Sequence, residues 1–134
     1  MKKNNKQKII IINLLLFAFL FGLVSLNKEI LRPLYNHMPF VKILTGSFPN
    51  FIASYIISLA IVNAVLVKKP KYSRLIIYIS SFLVFIVLTV EELKPMWGAS
   101  THYDSFDILA SGLGSIFAVI TFELIVLKKK MKLK

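Results

Sequence analysis

Five side chains that can exchange protons or bind cations are concentrated in one short stretch of the sequence. In chain order they are Glu91, Glu92, His102, Asp104 and Asp107. Carboxylates with an imidazole can bind a divalent cation or act as acid and base. The sequence has no His-x-x-His or similar ligand spacing. We therefore predict that these residues form a binding surface, without a metal, a cofactor or a catalytic residue.

The composition of the chain points to a membrane rather than to water. Of its 134 residues, 57% are hydrophobic, which is more than the core of one soluble domain requires. The net charge of +11 lies in short clusters between long apolar runs, without a basic helical face, so we do not expect nucleic-acid binding. The absence of cysteine excludes disulfides and thiol chemistry.

Four apolar stretches are long enough to cross a bilayer, whose hydrocarbon core of about 30 Å requires about 20 helical residues. We predict spans at about 9–26, 50–67, 74–92 and 105–127, which form a single all-α domain, a four-transmembrane-helix bundle. Pro49 and Asn50 are expected to start the second span, and residues 27–49 to form a loop. A cleaved signal peptide is the alternative for the first stretch, because lysines precede it.

The positions of the basic residues predict the orientation of these spans. They cluster before the first span, between the second and third, and after the fourth, and such an excess is typical of cytoplasmic loops. We therefore expect a multi-pass protein of the cell membrane with both termini inside, its basic clusters attracted to anionic lipid at the cytoplasmic face. The basic residues concerned are Lys2, Lys3, Lys6, Lys8, Lys68, Lys69, Lys71, Arg74, Lys128, Lys129, Lys130, Lys132 and Lys134.

The five acidic and histidine residues are predicted to meet at the outer ends of the third and fourth spans. Glu91 and Glu92 end the third span, Asp107 lies just inside the fourth, and a short loop with His102 and Asp104 joins the two. Asp104 is well placed to cap the fourth helix, where a carboxylate is favoured by the helix dipole. An acid inside a span is costly and often functional, so for Asp107 both interpretations remain open.

Small residues recur on one face of the fourth span. Ser111, Gly114 and Ala118 follow Asp107 at steps of three and four residues, which places them together on a helix. Small residues let helices approach closely in lipid, so we expect this face to pack within the chain. Glu123 lies five residues before Lys128 and is expected to pair with lysines at the inner end.

The junction between the third and fourth spans resembles the VanZ-like family of small bacterial membrane proteins. The resemblance rests on Glu92 and on Asp104-Ser-Phe-Asp107-Ile-Leu-Ala-Ser111-Gly-Leu-Gly114, which has the spacing of the family's Asp-x-x-Asp-x-x-x-Asn-x-x-Gly pattern. Ser111 stands where the family has asparagine, so the chain looks like a divergent relative. The resemblance implies a role in the cell envelope, linked to tolerance of glycopeptide antibiotics.

Three functions are compatible with these residues. We favour a non-enzymatic envelope protein whose acidic residues contact an amphiphile or a lipid headgroup. The first alternative is an accessory subunit that packs against another membrane protein through the small-residue face of the fourth span. The second is a membrane enzyme that uses the carboxylates with a metal on a lipid-linked phosphate.

Overall fold

The structure is built from long helices. The computed structural model describes residues 2–94 and 104–131, and these ranges contain no strand. The elements are α1 (Lys2–Leu26), a π-helical turn (Asn27–Leu31), α2 (Arg32–Tyr35), α3 (Pro39–Lys68), α4 (Ser73–Leu93) and α5 (Ser105–Met131). Four stretches are long and apolar enough to cross a membrane, namely Asn4–Tyr35, Pro39–Lys68, Ser73–Leu93 and Ser105–Lys128. The prediction of an all-α chain with four apolar helices is confirmed.

Successive long helices run in opposite directions, which gives the molecule two chemically different ends. We call one the acidic end, defined by Glu91, Glu92, Asp104 and Asp107, because the end of α4 and the start of α5 meet there. We call the other the lysine-rich end, because the start of α4 meets the last turns of α5 there. The described lysines at this end are Lys6, Lys8, Lys68, Lys69, Lys71 and Lys128.

Helix α3 lies at the centre of the arrangement and contacts α1, α4 and α5. Val62 and Val65 of α3 form a buried apolar cluster with Ile77 of α4 and Phe122 of α5. Within the described part of the chain, α1 contacts α3 but neither α4 nor α5. The bundle is therefore a compact trio of helices with α1 on the outer side of its central member.

Helices α3 and α5 approach most closely at Gly114. A Cβ atom at this position would overlap the backbone oxygen of Phe51 and lie 2.9 Å from the backbone nitrogen of Tyr55. Since these are backbone atoms of α3, no side-chain rotation could relieve the overlap. The distance between the two helices thus depends on glycine at position 114.

Hydroxyl groups join the same two helices beside Gly114. The fully buried hydroxyl of Ser54 lies 2.6 Å from the carbonyl oxygen of Ser111, to which it donates, and 2.7 Å from the hydroxyl of Ser115. Closer to the lysine-rich end, the Tyr55 hydroxyl lies 3.1 Å from the hydroxyl of Thr121. Such bonds between helices each contribute modestly in lipid, about 0.6 kcal/mol on average. Together they set the register of α3 against α5.

A polar pair near the lysine-rich end holds α1 against α3. The Asn63 amide nitrogen donates to the side-chain oxygen of Asn13 over 2.8 Å and to the carbonyl of Ile9 over 3.4 Å. Apolar side chains on α1 are otherwise widely exposed, as expected for a surface that faces lipid. This polar contact therefore distinguishes one face of α1 from the rest.

The prediction that residues 27–49 form a loop and that Asn50 starts the second span is wrong. Helix α3 begins at Pro39 and continues through Pro49, so Asn50 lies inside it. Pro39 occupies the first turn of α3, where the missing N–H costs nothing because no intrahelical acceptor exists for it. The proline signal at position 39 thus marks a helix start, whereas Pro49 requires a different explanation.

Helix α3 tolerates Pro49 because a neighbouring segment replaces the hydrogen bond that proline removes. In a regular helix the N–H of residue 49 would donate to the carbonyl of Thr45. Here the Asn27 amide nitrogen donates to that carbonyl over 2.7 Å, and the Arg32 guanidinium donates to the carbonyls of Thr45 at 3.3 Å and Gly46 at 2.9 Å. Polar neighbours commonly compensate for prolines in membrane helices in this way.

We expect Gly114→Ala to destabilise the fold by about 1–3 kcal/mol, which is the usual cost of overpacking, because α3 and α5 must separate. The free energy of unfolding in mixed detergent micelles, followed by circular dichroism, measures this. Gly22→Ala is the matched control, since no atom lies within 4 Å of a Cβ there. Equal stability of the two variants would contradict the close approach.

We expect Asn27→Ala to cost about 1–2 kcal/mol, because the Thr45 carbonyl loses its shorter hydrogen bond. The same substitution should cost about 1 kcal/mol less in a Pro49→Ala background, where alanine restores a backbone N–H to that carbonyl. A double-mutant cycle of unfolding free energies measures this coupling. Strict additivity of the two substitutions would show that Asn27 does not compensate for Pro49.

Candidate functional site

The acidic end is organised by the first turn of α5. Asp104 Oδ1 accepts a hydrogen bond from the backbone N–H of Phe106 over 2.9 Å, so Asp104 caps the helix. The backbone N–H of Asp104 itself donates to Glu92 Oε1 over 3.2 Å. The second of these bonds attaches the start of α5 to the last turn of α4 and brings Glu92 beside Asp104.

Asp107 lies one turn further into α5 and faces α3. The side chains of Ser47 and Asn50 lie beside its carboxyl group, and the charges of Glu92 and Asp104 act on it. Its Oδ1 atom is buried and has no hydrogen-bond partner among the described residues. A buried carboxylate oxygen normally requires a hydrogen bond or a counter-charge, so this atom is a candidate contact for a ligand.

The structure brings together three of the five predicted binding residues. Glu92, Asp104 and Asp107 lie at one end of the α4–α5 pair, near the part of α3 that carries Ser47. Glu91 lies in the last turn of α4 and is partly exposed. His102 falls outside the described residues.

The predicted small-residue face lies against α3. Ser111, Gly114 and Ala118 are buried, and Ala118 is fully enclosed. Ser111 also donates its hydroxyl to the carbonyl of Asp107 over 3.0 Å, one turn back along α5. Because α3 covers this face, it is not accessible to another protein in this arrangement.

Among the described side chains, Glu123 pairs with an arginine and not, as predicted, with a lysine. Its Oε2 lies 3.0 Å from a guanidinium nitrogen of Arg74, and its Oε1 accepts a hydrogen bond from the Tyr78 hydroxyl over 2.9 Å. Both partners belong to the first two turns of α4, which pack against this part of α5. The Glu123 side chain therefore contacts the neighbouring helix α4 and not the following turns of α5.

Helix α3 contributes to the acidic end, which was not predicted from the sequence. Ser47 and Asn50 are three residues apart and therefore share one helical face, which is the pattern that could have identified them. Pro49 concealed it, because a proline between them suggested a helix boundary. The polar residues around Asp107 thus come from two distant parts of the chain.

In residues 2–94 and 104–131, no group of three His, Asp or Glu side chains is arranged to hold a metal ion. The ion pair of Arg74 with Glu123, at the other end, is the salt bridge found within these ranges. Glu92, Asp104 and Asp107 combine negative charge with exposed and buried acceptor oxygens. This combination is suited to binding a cationic group.

Comparison of the chain with protein-family models, curated proteins and solved structures finds no match. The resemblance of Glu92 and residues 104–114 to the VanZ-like family therefore stays a prediction from the sequence.

We expect Asp104→Ala to destabilise the start of α5 by about 1 kcal/mol, because the N–H of Phe106 loses its acceptor. Amide hydrogen exchange in the first turn of α5 should become faster by about fivefold. Asp104→Asn keeps a side-chain oxygen at the cap and is the matched control. Equally fast exchange in both variants would show that charge, and not capping, is what matters at this position.

Proposed function

We propose that this chain is a non-enzymatic protein of the bacterial cell envelope that binds the cationic headgroup of an amphiphile at its acidic end. The observation that carries the proposal is the buried Oδ1 of Asp107, which lies without a partner among the described residues. A cationic group that enters from the end of the bundle would supply the missing partner.

The charges around Asp107 support a cationic ligand. Glu92 and Asp104 act on the Asp107 carboxyl group, and three carboxylates in one small region repel one another. An ammonium group with three donors can bond several carboxylate oxygens at once and offset this repulsion. Ser47 and Asn50 add neutral polar groups on the side of α3.

The location of Asp107 favours an amphiphile over a small soluble cation. Asp107 is the third residue of α5, in a helix long and apolar enough to cross a membrane. A ligand whose charged group reaches this depth would place its apolar part beside exposed side chains such as Phe106 and Leu109. Charge and apolar surface are therefore available together.

The distribution of lysines supports an orientation for this function. The excess of basic residues supports a cytoplasmic location for the lysine-rich end, with both termini inside and the acidic end outside. The proposed ligand then reaches the protein from the outer leaflet of the cytoplasmic membrane. The resemblance to the VanZ-like family suggests the biological setting, which is tolerance of glycopeptide or lipoglycopeptide antibiotics.

The two alternatives have less support. An accessory subunit that uses the small-residue face of α5 would need a surface that α3 already covers, since Ser111 and Ala118 are buried. A membrane enzyme acting on a lipid-linked phosphate would need a cation to bridge the acidic carboxylates and the anionic substrate. A cationic headgroup requires no such additional ion.

We expect Asp107→Asn to weaken binding of a long-chain alkylammonium by about 10–100-fold, because a hydrogen bond to a charged group is worth about 1.5–3 kcal/mol. Binding of a fluorescent alkylammonium to the full chain in phosphatidylcholine vesicles measures this, with the uncharged hydroxyl analogue as the reference ligand. The wild-type protein should prefer the cation by a similar factor.

Glu29→Gln is the matched control. Glu29 is exposed on the π-helical turn, toward the same end of the molecule. Its substitution removes one negative charge there without changing Asp107. If Asp107→Asn and Glu29→Gln have equal effects, binding reflects net charge alone and the proposed site is wrong. The envelope role is tested in cells. The measurement is the lipoglycopeptide susceptibility of a null host that expresses Glu92→Gln or Asp107→Asn at equal membrane abundance.

A further inference from the structure

A second feature of interest is a groove on the outer surface of α4 and α5. It has a volume of about 510 Å³, and its walls include Phe82 and Phe85 of α4 and Ile116 and Ile120 of α5. Phe82 is 61% exposed and Ile116 54% exposed, so the groove opens toward the surroundings and not toward α3. At its far end the Phe85 ring lies over Gly112, where a Cβ atom would be only 3.3 Å from the ring.

The groove has a polar boundary at the lysine-rich end. Tyr78 lines it and donates its hydroxyl to Glu123, which also pairs with Arg74. On α4, Arg74, Tyr78 and Phe82 follow at steps of four, so they share one helical face. The apolar walls therefore lead directly to a guanidinium group, whose side chain remains 58% exposed.

We propose that this groove binds one acyl chain of an anionic phospholipid, with the phosphate against Arg74. The charge of Glu123 is compensated by Arg74 and by the hydrogen bond from Tyr78. Exposed Lys71 and Lys128 add positive charge at the same end. The local field therefore favours an anionic headgroup, and basic residues close to a membrane surface attract such lipids.

The length of the groove matches one leaflet. From Gly112 to Ile120 it covers nine residues of α5, whose eight helical rises amount to about 12 Å. Half of a hydrocarbon core is about 15 Å thick, whereas a partner helix would continue along the full thickness of about 30 Å. A single lipid chain that starts at the lysine-rich end fits this length better than a transmembrane helix does.

Native mass spectrometry of the full-length protein tests the proposal. The protein is released from nanodiscs of equimolar phosphatidylglycerol and phosphatidylcholine with identical acyl chains. The wild-type protein should retain one phosphatidylglycerol in preference to phosphatidylcholine. Arg74→Gln should lower this preference about fivefold, the factor expected for one basic residue near an anionic headgroup. Lys8→Gln removes a positive charge at the same end but on α1, which contacts neither wall of the groove, and should leave the preference unchanged.

The apolar part of the groove is tested separately. Ile116→Trp should fill the groove and abolish retention of the lipid. Leu113→Trp is the matched control, because Leu113 lies on the same helix with a similar exposure, 52%, but does not line the groove. Both substitutions affect exposed side chains, so the fold should persist, and circular dichroism verifies this.

Three results would overturn the proposal. Equal retention of the two lipids by the wild-type protein would exclude a preference for an anionic headgroup. Equal effects of Ile116→Trp and Leu113→Trp would exclude the groove as the binding surface. A crosslinked dimer in native membranes that Ile116→Trp abolishes would show that a second copy of the chain, and not a lipid, occupies the groove.

Discussion

The close contact between α3 and α5 is the constraint on which the other features of the structure depend. At Gly114 the backbones are near enough that one methyl group would overlap the Phe51 carbonyl oxygen, and Ser54 bonds α5 at the same level. In lipid there is little hydrophobic gain from joining two apolar helices, so close packing and polar bonds must provide the association. The contact fixes α5 against α3, which places Asp107 beside Ser47 and leaves the α4–α5 groove on the opposite side.

A second constraint acts where α3 passes through Pro49. The proline frees the Thr45 carbonyl, and Asn27 in the π-helical turn donates to it. Asn27 is the first residue of this turn, and its fully buried side chain lies against α3. Because α3 stays helical beyond Pro49, Ser47 and Asn50 remain on the face that meets Asp107. A helix break at this point would have removed α3 from the acidic end.

The two ends of the molecule carry opposite charges. At the acidic end, Glu92, Asp104 and Asp107 converge and one carboxylate oxygen is buried without a partner in the described residues. At the lysine-rich end, Arg74 pairs with Glu123, which also accepts a hydrogen bond from Tyr78 in the wall of an apolar groove. Both arrangements combine charge with apolar surface, which is the chemistry of amphiphile recognition. The two proposed sites are separate, since they lie at opposite ends of α5.

The sequence by itself determined the class of the protein and the position of its acids along the chain. Four apolar stretches of the length of a bilayer can be read without a structure, because the hydrocarbon core sets that length. The capping position of Asp104 and the proximity of Glu92 also follow from short-range spacing. By contrast, the course of residues 27–49 and the partner of Glu123 could not be read, because they depend on side chains from distant segments. Only the tertiary structure decided that Asn27 compensates for Pro49, that Arg74 pairs with Glu123 and that α3 completes the surroundings of Asp107. Each of these contacts joins residues at least 18 positions apart, for which local spacing holds no information.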